Sequence, residues 1–305
     1  MPSLSRRAFF TGRRITNDPW ENFCQRMRRL VQGSFFNEGR VDGFGHARLS
    51  AKTPADVHHA LMLCKEYEVV LLLDGLEQEA PQPGASVLWL DPSIYLKTCQ
   101  PVPDTDDKWF VQPGCFVAEL KQAGLKQFEA FPDYLTVAAL IADRVHMNLP
   151  TGELWRMGLS HAGVLLADET TAVLGPFGVG QSQPLGTLTL QQLVPALFRL
   201  CAGDSARLCA ESPHWPGRYR LDALMPADEH DVNLSHLLFG QGADLCWAEW
   251  FVFQAMSEPV EPQPFRGVAS GAFDETVVYA AQDIDLHIKN QFDPCGIFPH
   301  PGQAL

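Results

Sequence analysis

A two-part α+β fold is what this 305-residue sequence predicts, and three observations predict it. Thr53-Pro54-Ala55-Asp56 is a helix start, with an N-cap residue, proline in the first turn and an acid close behind. Val57, Ala60, Leu61 and Cys64 continue it as one apolar face, and five consecutive aliphatic residues, Val69 to Leu73, then read as a buried strand. Strand-like runs at 86–90 and 109–112 follow with no helix between them. The order strand, helix, strand, strand, strand, helix excludes an all-parallel dinucleotide fold.

The remaining elements follow in chain order. Ser5-Arg6-Arg7-Ala8-Phe9-Phe10 carries the twin-arginine export pattern, but the polar residues after Gly12 lack the apolar core of a signal peptide. The expectation is a basic N-terminal arm and a helix from Pro19 to Val31. In that helix Trp20, Phe23, Met27, Leu30 and Val31 recur at helical spacing, with Arg26, Arg28 and Arg29 on the other side. Such a helix suits docking on a partner subunit or an anionic membrane surface. After residue 112 the Pro113-Gly114 turn leads into a short helix, 117–122, and a further helix spans 190–200. Gly175-Pro-Phe-Gly-Val-Gly180 has neither the Lys-Ser/Thr of a nucleotide loop nor a helix start behind it, and reads as a hairpin or loop. From about 211 to 282 proline and tryptophan punctuate the chain, and the run 245–254 (LCWAEWFVFQ) is its main apolar element.

Charge narrows the function classes. The net charge of −13 argues against a nucleic-acid surface, which needs clustered Lys and Arg. Residues 1–50 hold nine arginines against four acids, a balance of +5, which leaves −18 for the rest. The longest apolar runs fall well short of the roughly 18 to 20 residues of a membrane-spanning helix. Eight cysteines without a CxxC pair read as free thiols in a reducing cytoplasm, with no iron–sulfur cluster. No metal site is expected. His58 and His59 point about 100° apart on a helix and cannot both face one ion with Cys64. His214, His230, His236 and His287 show no ligand spacing, and Asp104, Asp106 and Asp107 form a solvated turn without the order of a calcium loop.

The segment Leu49-Ser-Ala-Lys-Thr-Pro-Ala-Asp-Val57 resembles the opening P-x-S-x-x-E-V helix of FAD-binding domains of the PCMH type, found in vanillyl-alcohol-oxidase-like flavoenzymes. The resemblance continues in order. Val69 to Gly75 falls where that family has a strand entering an R-G-G-G-T loop; Leu88-Trp-Leu-Asp91 looks like V-L-D-L-S, Phe110 to Gly114 like V-x-x-G-V, and Thr136-Val-Ala-Ala139 like T-V-G-G. Val164 to Asp168 is similar to the V-x-L-A-D-G strand. Lys289-Asn-Gln-Phe-Asp-Pro-Cys-Gly-Ile-Phe298 closely resembles the terminal K-x-x-F-D-P-x-G-I-F-N-P-G. The length and this last segment look most like the glycolate oxidase FAD-binding subunit.

The resemblance implies a PCMH-type domain of two α/β subdomains, a reduced cap and a C-terminal tail that returns to the first domain. The expected boundaries are arm and helix 1–45, FAD-binding-like domain 46–210, reduced cap or interaction region 211–285, and tail 286–305. It further implies FAD, held by Asp74, Gly75, Leu76, Gly114, Thr136, Val137, Ala138, Ala139 and His300, with no catalytic residue identified. The implied role is that of a cytoplasmic subunit in a hetero-oligomeric 2-hydroxyacid (glycolate or lactate) dehydrogenase-like oxidoreductase, with a membrane contact through the basic arm at the inner face.

Departures from the pattern open a second reading. Asp74-Gly-Leu-Glu-Gln78 stands in place of the glycine run, and its Asp74 and Glu77 oppose a diphosphate. Ala138 and Ala139 replace a glycine pair whose backbone the cofactor approaches. The G-S-x-G-x-L-G segment survives only faintly at 201–207, and His300, after an added Pro299, replaces the terminal Asn. The FAD site then reads as vestigial, and the alternative is a cofactor-free scaffold or assembly protein that binds a catalytic partner.

Overall fold

A computed structural model of the chain describes residues 18–76, 84–178, 185–227, 230–261 and 273–300. The twin-arginine segment, Glu77 and Gln78, Gly180, Pro262 and Pro264 lie outside the described residues.

The first half begins with α1 (Pro19–Leu30), whose free N-terminus is capped where Asp18 Oδ1 accepts the Trp20 N–H at 3.0 Å. Its apolar stripe is not left over for a partner. Trp20, Phe23, Cys24 and Met27 are buried inside the chain, and the Trp20 and Phe23 rings stack at 5.2 Å. A hairpin the sequence reading lacked, β1 (Ser34–Val41) and β2 (Phe44–Ser50), follows directly, and β2 crosses residue 45. Helix α2 (Pro54–Tyr67), β3 (Val69–Leu73) and β4 (Ser86–Asp91) complete a four-stranded sheet in the order β1-β2-β4-β3, parallel except for β1. Thr53 is the N-cap residue of α2, as expected, and the side-chain bonds at this helix start come from Asp56 at N3. Its buried carboxylate accepts the backbone N–H groups of Gln32, Gly33, Lys52 and Thr53 at 2.8 to 3.3 Å, while the Thr53 hydroxyl has no partner. One side chain thus satisfies the donors of two chain segments and fixes the entry to α2.

The second half holds β5 (Cys99–Pro101), β6 (Lys108–Val111), α3 (Val117–Gln122), α4 (Val137–Ala142), β7 (Leu159–Leu165), β8 (Thr171–Leu174), α5 (Leu188–Cys201) and α6 (Asp204–Ala210). Asp104 lies in the β5–β6 turn, as expected, and Asp107 Oδ2 accepts from Gln254 Nε2 at 2.9 Å. The 164–168 strand is shorter than predicted: β7 ends at Leu165, and Asp168 instead accepts the Thr170 N–H in the turn to β8.

The largest revision concerns the span after residue 210. Its strand-like run is β9 (Trp247–Gln254), which lies at the centre of the five-stranded antiparallel sheet β5-β6-β9-β7-β8. Trp215, Tyr219, Leu221, Phe239, Phe251 and Phe253 all reach zero exposure in one core with α3 to α6. What the sequence suggested as a cap is, over its described residues 211–227 and 230–261, mostly the interior of the second half. Helix α7 (Glu275–Phe292) then runs without a break through residue 285.

The tail returns to the first half as the resemblance implied. Lys289, two per cent exposed, donates from Nζ to Asp293 Oδ2 at 2.7 Å and to the carbonyl oxygens of Asp244 at 2.6 Å and Phe298 at 3.4 Å. Asp293 also accepts the Ile297 and Phe298 N–H groups at 3.0 and 2.9 Å. Ile297 O in turn accepts the Leu71 N–H at 2.8 Å, so the tail hydrogen-bonds to β3. Replacing Asp293 by Ala strands a buried ammonium and is expected to lower stability by about 3–5 kcal/mol, read from the urea midpoint.

Two buried acids near the same junction have a signed pH effect. Burial pushes Asp244 and Asp285 each up to about 6, against the pull of Arg218 and other cations. A carboxyl raised in the fold stabilises it most below its ordinary value near 3.8, and that contribution is lost as the pH rises through about 6. Relative to wild type, Asp244→Asn should therefore gain stability as pH rises from about 4 to 7. Urea midpoints at both ends of that range test the sign.

Candidate functional site

The two halves meet where β3 ends and α4 begins, and most of the predicted cofactor residues come together there. Thr136 caps α4, accepting the Ala139 N–H on Oγ1 at 3.2 Å. The neighbouring donors are also taken: the Val137 N–H goes to Cys115 O at 2.8 Å and the Ala138 N–H to Pro113 O at 3.0 Å. All three first-turn donors that could meet a phosphate are therefore spent on the protein itself.

Gly114 keeps its motif position for a different reason than phosphate approach. A Cβ there would stand 2.0 Å from Pro92 O, and its N–H is bonded to Leu96 O at 2.7 Å. The glycine is required by backbone packing. Gly75 is the other retained glycine, with φ at +90°, and a Cβ added to it would meet the Ala139 methyl at 3.9 Å. That contact shows how near the β3 loop and α4 approach each other. Asp74, expected to repel a diphosphate, instead pairs with Arg48, which also reaches Glu38 at 3.2 Å. Its charge is thus countered within the protein. Leu76 packs against the core of the first half, and His300, in the tail, is exposed.

The seam between the halves is filled with apolar side chains. Ala138, Ala142, Leu165, Ala167, Ala243 and Trp247 from the second half share one core with Leu71, Leu73, Leu88, Leu90, Ile297 and Phe298. The gap bounded by Leu73, Ala138, Ile141, Ala142, Gln241, Trp247 and Phe251 holds about 20 Å3, the room of a single water. Ligand pockets run to roughly 300–1,000 Å3. Polar pairs join the halves at the rim: His58 Nε2 lies 2.7 Å from Glu249 Oε1, and Lys65 Nζ lies 3.3 Å from Glu169 Oε1.

FAD is the cofactor that the resemblance implies, and the described start of α4 offers it no free first-turn N–H group. Ala138 and Ala139 are buried, and the gap beside Ala138 among the described residues has room for one water. The sequence pointed to the alanines. It did not point to Trp247, which lay hidden in a strand-like run, or to Arg48, whose partnership with Asp74 depends on β2 and β3 flanking β4. Histidines offer no metal centre: among the described residues no group of three His, Cys, Asp or Glu is placed to hold an ion. Burial holds the His236 imidazole down to about 4, and its Nε2 is 2.9 Å from Leu159 O. No described helix is long and apolar enough to cross a membrane.

No family model matches the sequence, and no curated protein matches it at a significant level. Solved structures similar to it include a 4-ethylphenol oxidase from Gulosibacter chungangensis in complex with isoeugenol, with 14% identity over 81% of this chain and 45% of the other, TM-score 0.45. A p-cresol methylhydroxylase with bound substrate gives 14% identity, the same coverages and TM-score 0.42. A cholesterol oxidase from Brevibacterium sterolicum gives 11% identity over 73% of this chain and 38% of that one, TM-score 0.42. The chain spans less than half the length of each of these three proteins.

If Trp247 is the main filler of the seam, Trp247→Ala should cost roughly 3–5 kcal/mol in urea unfolding, the usual range for deleting a buried aromatic ring. A loss below about 1 kcal/mol would show that the halves are held by other contacts.

Proposed function

We propose that this chain is a cofactor-free protein built on a PCMH-type flavoprotein fold, serving as a non-catalytic subunit that binds the catalytic partner of a 2-hydroxyacid dehydrogenase-like oxidoreductase. The filled seam carries the first part of this reading: where a dinucleotide would lie, Trp247, Ala138 and Leu73 form continuous core around a gap of about 20 Å3. The kind of partner rests on the resemblance of Lys289 to Phe298 to the terminal motif of the glycolate oxidase FAD-binding subunit. That motif is kept here as a structural clamp, with Lys289 and Asp293 both buried. A chain that conserves the clamp while closing the cradle has retained its shape without its cofactor chemistry.

The alternative is an FAD-loaded subunit that takes a hydride from a hydroxy acid and passes electrons to its partner. Gly75, kept at left-handed φ at the end of β3, favours it. The two readings separate on purification. The cofactor-free protein is expected to be colourless, folded and unable to retain added FAD through gel filtration; flavin absorbance that co-elutes in stoichiometric amount would overturn it. Opening the seam with Trp247→Ala, Ala138→Gly and Ala139→Gly together should raise FAD affinity above wild type, read from quenching of flavin fluorescence. No gain would place the ancestral cradle elsewhere in the fold.

A further inference from the structure

Glu249 and Trp250 are consecutive on β9, where neighbours in a regular strand point to opposite faces, yet both line one groove. A bulge accounts for this. Trp250 pairs with Gly163 and Ala248 with Val164, which leaves Glu249 as the extra residue where the register to β7 shifts. Bulges of this kind re-aim a side chain. The facing strand is cut to fit: a Cβ on Gly163 would stand 2.2 Å from Trp250 Nε1, so glycine is what leaves room for the indole against β7.

The groove holds about 470 Å3, within the roughly 300–1,000 Å3 of ligand pockets. Thr171 and Val173 of β8, and Thr187 and Leu190 at the start of α5, bound it on the other side. Glu249 is the one charged side chain among these described lining residues. Its carboxylate is held in place, since the side chain is 12% exposed and Oε1 lies 2.7 Å from His58 Nε2. Glu249 Oε2 has no hydrogen-bond partner among the described residues.

We propose that this groove binds a small organic cation, a protonated amine on an apolar body, with the ammonium on Glu249 Oε2 and the body against Trp250, Val173 and Leu190. A partly desolvated carboxylate attracts a cation and repels carboxylates and phosphates. Indole adds the ring face that cations favour most, and the hydroxyl oxygens of Thr171 and Thr187 are acceptors for further ammonium protons. A neutral ligand would lack the charge-assisted bond. A bare metal ion would find too few ligands: among the described residues no group of three His, Cys, Asp or Glu is placed to hold one. His58 belongs to α2 of the first half, so the bound ammonium shares the carboxylate that pairs the halves at their rim. The groove has no lining residue in common with the water-sized gap in the seam, and its occupancy is measurable whatever the seam holds.

Calorimetric titration of the folded full-length protein near neutral pH tests this with three probes of similar shape: phenethylamine, which is protonated there, neutral phenethyl alcohol and anionic hydrocinnamate. The amine should bind about tenfold or more tightly than the alcohol, the advantage of a hydrogen bond to a charged group, and hydrocinnamate should not bind. Glu249→Gln keeps the shape of the side chain and should bring the amine down to the affinity of the alcohol. Trp250→Leu should weaken the amine more than the alcohol. Equal affinity for amine and alcohol, preference for hydrocinnamate, no binding of the amine at millimolar concentration, or an amine preference that survives Glu249→Gln would each overturn the proposal. The comparison of probes on the unaltered protein needs no variant to fold.

Discussion

The buried pair of Lys289 and Asp293 is the interaction on which the joining of the two halves depends. Neither charge can be left alone, because removing one partner strands the other away from water. Together they close a circuit: the ammonium takes the carbonyl oxygens of Asp244 and Phe298, and the carboxylate takes the N–H groups of Ile297 and Phe298. The tail is thereby shaped to offer Ile297 O to Leu71 on β3. Helix α7 grows from the second half, so its last turn and the residues behind it act as a strap across to the first. Asp56 does comparable work on a smaller scale, where one carboxylate collects four backbone donors from two segments.

With the strap in place, the surfaces that face each other must either hold something or touch. Here they touch. Among the described residues, Gly75 lies close to Ala139, and the gap beside Trp247 is the size of one water. The charges follow the same logic. Asp74 is paired with Arg48, and His58 with Glu249, so the groups at the rim are satisfied by the protein and do not await an anion. A groove of about 470 Å3 lies among the described residues at Thr171, Val173, Thr187 and Trp250. Its one carboxylate, Glu249, is the residue already held by His58.

What was legible in the sequence divides along physical lines. Local signals held where they were strong: Pro54 and Asp56 mark the start of α2, the aliphatic run Val69 to Leu73 is β3, and the Lys289 to Phe298 motif does return to the first half. Non-local pairing was illegible. The 245–254 run looks the same whether it belongs to a cap or to the middle of a sheet, because a strand's partners are not written in its own alternation. The β1–β2 hairpin was missed because its exposed face carries Phe36, Val41 and Phe44 among polar residues, which blurs the period-two pattern. The N-terminal helix was seen as an appendage because an amphipathic stripe does not say what covers it.

The same distinction explains why the cradle reads as damaged in sequence and as closed in structure. Substituting alanine for glycine at 138 and 139 adds two methyl groups, a change that by itself crowds a ligand but need not expel it. Both alanines are buried, and Ala138 and Trp247 share one core with Leu71 and Leu73 of the other half. Each buried methyl contributes roughly 0.8 kcal/mol toward holding the halves together, and a buried indole contributes more. On the cofactor-free reading proposed above, loss of the cofactor site and gain of a continuous core are one event seen from two sides. A ligand would have to displace packed apolar surface and reclaim donors already spent on Cys115 O, Pro113 O and Thr136 Oγ1, which makes the closed arrangement self-sustaining.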